Sequence, residues 1–148
     1  MTEPASINVA CKDCGLYRLC LPEGIEPAEV EALERIIERG RPLKRNEHLF
    51  HCGSPFRSLY AVRAGGIKTY TISEDGREQV TGFHLPRELL GLDAIDDGAH
   101  PCSARALETT SVCEIPFPAL AALSETIPAL HRQLLRVMSK ELLREQSL

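Results

Sequence analysis

Between Arg41 and Pro116 the sequence breaks into short apolar runs: HLF, SLYAV, IKTYTI, QVTGFHL, ELLGL, SARAL and SVCEI. Turn-forming residues separate them at Gly53, Gly65-Gly66, Glu74-Asp75-Gly76 and Asp96-Asp97-Gly98. No run is long enough for a helix, and many short strands at this spacing predict a barrel or jelly roll. The Asp75-Gly76 pair between TYTIS and EQVTGF predicts a hairpin. Helical patterns flank this region. Pro27 opens PAEVEALERIIERG, where Val30, Leu33, Ile36 and Ile37 recur at three- and four-residue intervals and Gly40 is placed as a cap. After Pro116 a short helical stretch, PALAALSET, precedes a long helix from about Pro128 to Gln146. The order is a helix, about eight strands and two helices, an α+β fold around one β core. At 148 residues the chain is one domain of ordinary size. It divides into a loop-like segment 1–24, a helix-plus-barrel unit 25–126 and a terminal helix 127–148.

Composition narrows the function. Apolar residues make up 43% and charged residues 26%, as in a soluble globular protein. With 17 basic and 21 acidic side chains the net charge is -4, so the chain lacks the basic footprint of a nucleic-acid binder. The N-terminal MTEPASINVA has neither a basic region nor an apolar core, and no apolar run approaches a membrane span. These features predict a cytoplasmic protein that does not meet a membrane. An enzyme is not expected: His84 and His100 stand isolated, and no nucleophile–base constellation or phosphate-cradling glycine loop is visible.

The terminal helix carries two apolar stripes. Leu130, Leu134 and Val137 form one, suited to covering the barrel. Leu135, Met138 and Leu142, with His131 before them and Glu145 after, form a second at heptad-like spacing. A second copy of the same helix is the economical partner for it, so a homodimer is expected.

Six cysteines are the unusual element. Cys11, Cys14 and Cys20 fall within ten residues, in a segment too short and polar to bury three thiols as core. In a reducing compartment, clustered thiols point to metal binding or redox chemistry rather than structural disulfides. Thiolates suit zinc or an iron–sulfur cluster, either of which normally takes four ligands. The fourth is open among Cys52, Cys102, Cys113, His48, His51 and His100; Cys113, in the apolar run SVCEIPF, also reads as a small core residue.

Several segments together carry a resemblance: CKDCGLYRLCLP, RGRPLKRNEHLF, SLYAVRAGGIKTYTISEDGREQVTGFHLPRELLGLDAI, ALETTSVCEIPF and LHRQLLRVMSKE. They resemble the FNR/ANR oxygen-responsive branch of the Crp/FNR transcription regulators, from residue 11 almost to the end of the chain. The resemblance implies a cyclic-nucleotide-binding-like jelly-roll barrel with a flanking N-terminal helix and a C-terminal dimerisation helix. It implies a [4Fe-4S] cluster held by Cys11, Cys14, Cys20 and Cys113, leaving Cys52 and Cys102 as bystanders. Gly15, Leu16, Leu19 and Leu21 would shield that cluster; Gly15 stands where family members often carry Ser. His131, Leu135, Met138, Leu142 and Glu145 would form the dimer seam, with His131 in place of a usual arginine and Glu145 opposing pairing by like charge. Oxygen would be the signal, and cluster retention would favour the dimer. The family continues into a helix-turn-helix domain, so DNA contact is expected only through residues beyond Leu148.

Two other readings compete. A cyclic-nucleotide-binding effector module shares the β pattern, but its phosphate-binding Arg-Ser or Arg-Thr pair is matched here by His100-Pro101, and Pro101 offers neither hydroxyl nor N–H. No cyclic nucleotide is therefore expected. A structural zinc site would use the same cysteines.

Overall fold

The computed structural model describes residues 26–147, and side chains as far as Leu143. Helix α1 (Pro27–Ile36) starts at a reciprocal cap. Glu29 accepts the Glu26 backbone N–H at 2.9 Å, and the Glu26 carboxylate accepts the N–H three residues into the helix. The helix then stops short of Gly40. Ile37 is extended, and Glu38–Arg39 form strand β1, paired with Glu114 and Cys113. The predicted glycine cap is thus corrected: the β-branched Ile36-Ile37 pair tolerates the turn into extended backbone, and sheet pairing fixes it.

The seven apolar runs supply β2 (His48–Phe50), β3 (Ser58–Ala64), β4 (Ile67–Ile72), β5 (Glu78–His84), β6 (Leu89–Leu90), β7 (Ser103–Ala106) and β8 (Ser111–Pro116). A 3-10 turn at Leu92–Ala94 follows β6. Helices α2 (Phe117–Thr126) and α3 (Pro128–Ser147) close the chain. The strands form two antiparallel four-stranded sheets, in the orders β1-β8-β3-β6 and β2-β7-β4-β5. The β4–β5 hairpin turns at Gly76, whose φ of 85° is the left-handed conformation that glycine adopts without strain.

Alternation along the strands sets three layers. Val62 of β3, Ile67 of β4, Leu90 of β6, Phe50 of β2 and Ala104 of β7 meet between the sheets. On β3, Leu59 and Ala61 face the other way, as do Cys113 and Ile115 on β8. Val30 and Leu33 of α1, Leu120 of α2, and Leu130 and Val137 of α3 cover that outer face.

One tight turn fixes the barrel's waist. Thr110 is fully buried; its hydroxyl donates to the Gly66 carbonyl at 3.0 Å and accepts the Gly66 N–H at 3.2 Å. Gly65 beside it has φ 90°, and a Cβ there would stand 2.5 Å from the Thr109 carbonyl oxygen. No larger residue fits without moving the backbone.

Candidate functional site

Cys113 is 3% exposed. Its strand pairs with β1 at Arg39 and with β3 at Ala61. The thiol packs among Ala61, Leu89, Ile37, Leu92 and Val137 of α3. It therefore lies in the seam between the sheet and the helices, outside the barrel interior. Helix α1, which leads directly from the N-terminal segment, covers the same face of the sheet, and its continuation β1 lies alongside Cys113.

The remaining candidate ligands lie elsewhere. Cys52 is exposed in the turn after β2, while Cys102 is 6% exposed and faces the interior between the sheets. His48 bonds the Tyr70 hydroxyl at 2.6 Å and stacks on His51 at 4.2 Å between ring centroids. Burial, reinforced by His51 and Arg105, holds the His48 imidazole below its ordinary range. Nearby, Arg105 bonds Glu78 at 3.2 Å and lies over the Tyr70 ring at 5.0 Å. Lys68 also pairs with Glu78. Arg105 is thus held in a structural network.

His100 is 3% exposed and stacks on Phe50 at 3.7 Å between centroids. It stands beside Pro101, and its ring is used as core. Sequence reasoning missed this role, since Phe50 lies fifty positions away.

Beside α3 the barrel opens into a cavity of about 720 Å³. Thr69, Thr81, Asp93 and Cys102 line it from the barrel, and Met138 and Glu141 from the helix. Among the described residues its lining holds two carboxylates, Asp93 and Glu141, and the imidazole of His84, with neither lysine nor arginine.

The two predicted stripes of α3, one to cover the barrel and one for the dimer seam, differ in burial. Leu130 and Val137 are buried against the sheet. His131 is exposed, Leu135 is 54% and Leu142 63% exposed, and Met138 is half-buried at the cavity. Cys11, Cys14, Gly15, Leu16, Leu19, Cys20 and Leu21, and the side chain of Glu145, lie outside the described residues. Among the described residues no group of three or more His, Cys, Asp or Glu side chains could hold a metal ion. A metal at Cys113 therefore needs donors from outside the described residues. The site fits that demand: one soft thiol donor, shielded by apolar side chains, on the face of the sheet that α1 covers.

Comparison with known proteins agrees with this architecture. Residues 40–126 match the cyclic nucleotide-binding domain, and the chain belongs to that family. Within it the chain falls in the FNR/Anr branch of the Crp/FNR regulators. It is 51% identical over 152 aligned positions to the transcriptional activator protein Anr of Pseudomonas protegens, a match covering 100% of this chain and 62% of that protein. It is 47% identical to the fumarate and nitrate reduction regulatory protein of Escherichia coli K12, covering 95% of this chain and 56% of the relative. Among solved structures, the catabolite activator protein of Thermus thermophilus superposes with a TM-score of 0.70 at 25% identity, covering 84% of this chain and 58% of that one. The chain thus spans about 60% of the length of the first two relatives. Both are named as regulators or activators, not enzymes. Among the described residues no helix is long and apolar enough to cross a membrane.

Proposed function

We propose that the chain is the oxygen-responsive sensory part of a cytoplasmic anaerobic transcription regulator. Cys11, Cys14, Cys20 and Cys113 would hold a [4Fe-4S] cluster, and α3 would pair with a second copy. DNA contact would be made by residues outside this chain. The observation that carries the reading is the position of Cys113, buried between the sheet and Val137 of α3 on the face that α1 covers.

When bound, such a cluster supplies an oxygen-labile cross-link between the N-terminal segment and strand β8. The protein's own part follows from the packing. Ile37, Leu89 and Leu92 keep water from the thiol, and Val137 places the dimerisation helix in contact with the residues around it. A shift at Cys113 is therefore felt at α3 without passing through the barrel interior. Holding the N-terminal segment favours one arrangement of α3, and releasing it removes that preference, as a population shift requires. Zinc would satisfy the same donors but offers no redox response.

Anaerobically prepared protein is expected to contain iron and sulfide and to show visible absorption that bleaches in air. Cys113→Ser should lose both, while Cys52→Ser and Cys102→Ser should keep them. A colourless protein with one zinc per chain would overturn the reading.

A further inference from the structure

We propose that Cys52 and Cys102 form a second redox site, a thiol pair that closes to a disulfide on reaction with low-molecular-weight disulfides. The proposal is independent of any cluster at Cys113.

Register brings the two together. Strands β2 and β7 pair with Phe50 opposite Ala104. Beyond the strand ends the backbones stay joined, since the His100 N–H donates to the Ser54 carbonyl at 2.9 Å and the Gly53 N–H to the His100 carbonyl at 2.7 Å. Between these points the chain after β2 makes a tight turn, with the Ser54 N–H donating to the His51 carbonyl at 3.0 Å, and Cys52 sits in that turn against residues 101–103. A disulfide spans Cα atoms roughly 4.4 to 6.8 Å apart. Side chains confirm the proximity. The Cys52 thiol donates to the Pro101 carbonyl at 3.4 Å, and its backbone N–H donates to Ser103 Oγ at 2.9 Å. Cys52 therefore touches both neighbours of Cys102.

The two thiols differ in the way such chemistry uses. Cys52 is exposed and open to a reagent, whereas Cys102 is 6% exposed. Burial, helped by the nearby Asp93 charge, pushes the Cys102 thiol up to about 11, so it stays protonated and unreactive toward solutes. With glutathione disulfide the Cys52 thiolate attacks one sulfur, the S–S bond breaks, and one glutathione leaves as thiolate and takes up a proton. Cys102 then gives up its proton and attacks the Cys52 sulfur, releasing the second glutathione. Two protein thiols are oxidised and one disulfide is reduced to two thiols. The second step is intramolecular, so the burial of Cys102 does not block it. The product links β2 to β7 at the wall of the cavity that Met138 of α3 also lines.

Tryptic cleavage places each of the six cysteines on its own peptide, with Cys52 in 46–57 and Cys102 in 88–105. The native chain is treated with glutathione disulfide, its remaining thiols are alkylated, and it is mapped without reduction. The expected result is loss of two alkylatable thiols and a linked 46–57/88–105 pair in excess over every other pairing. Cys102→Ser should instead leave Cys52 as a stable glutathione adduct. A persistent Cys52–glutathione adduct in the unaltered chain, with Cys102 alkylated on unfolding, overturns the proposal. Linkage of Cys52 mainly to another cysteine does the same.

Discussion

His100 shows how a titratable residue can be spent on packing. Its ring lies flat against Phe50, meets Phe56 edge-on at 5.8 Å, and keeps a buried Nδ1 with no hydrogen-bond partner among the described residues. Burial lowers its affinity for a proton, and Asp93 only partly opposes this. The unfolded chain takes up that proton near pH 6.5, while the folded chain does so only at lower pH. Stability from this group is therefore full above about pH 6.5 and declines as the pH falls toward the folded value. His48 is shifted in the same direction and adds to the same window. The depressed carboxylates Glu47 and Glu78 act lower, below the ordinary carboxylate range. Urea unfolding between about pH 7.5 and about pH 5.5 should show stability falling with pH, and His100→Phe should flatten part of that slope. An unchanged slope would remove His100 from the account. Nothing in the sequence marked this histidine as core, because stacking on Phe50 depends on pairing between β2 and β7.

At the scale of elements, the strand train was legible because each apolar run ends in a turn residue that extended backbone needs. Glu38–Arg39 escaped notice because nothing in a helical pattern announces a two-residue strand; only pairing with β8 makes it one. Helix α3 was read from its two stripes. Leu130 and Val137 pack on the sheet, whereas Leu135, Leu142 and Leu143 are more than half exposed. Burying one leucine contributes about 1.5 to 3 kcal/mol, and each 1.4 kcal/mol is a factor of about ten in affinity. Leu135→Glu should therefore weaken self-association by about 10- to 100-fold in sedimentation equilibrium. Its iron content should be unchanged. An unaltered dimer would mean that the partner helix does not use this stripe.

For the whole molecule, the family's barrel is kept, and its cavity carries two acidic side chains. Asp93 and Glu141 are among the described residues that line the opening. Millimolar cyclic AMP is expected to leave the thermal unfolding midpoint where it was, since a ligand stabilises only by binding the folded state. A concentration-dependent rise would restore the nucleotide reading. The fold could be inferred over most of the chain because long stretches resemble a known branch. The side of the sheet on which Cys113 lies depends on strand parity and on where α1 and α3 settle, and neither is written in the cysteine spacing.

One two-residue strand gives the molecule its load path. Strand β1 is a two-residue hem sewn to the edge of β8, with Arg39 opposite Cys113. A pull arriving through the chain ahead of Glu26 is borne first by α1 and this hem, and then by the strand that carries Cys113. The first sheet thus has a two-residue edge strand, and the strand directly inside it carries the candidate ligand.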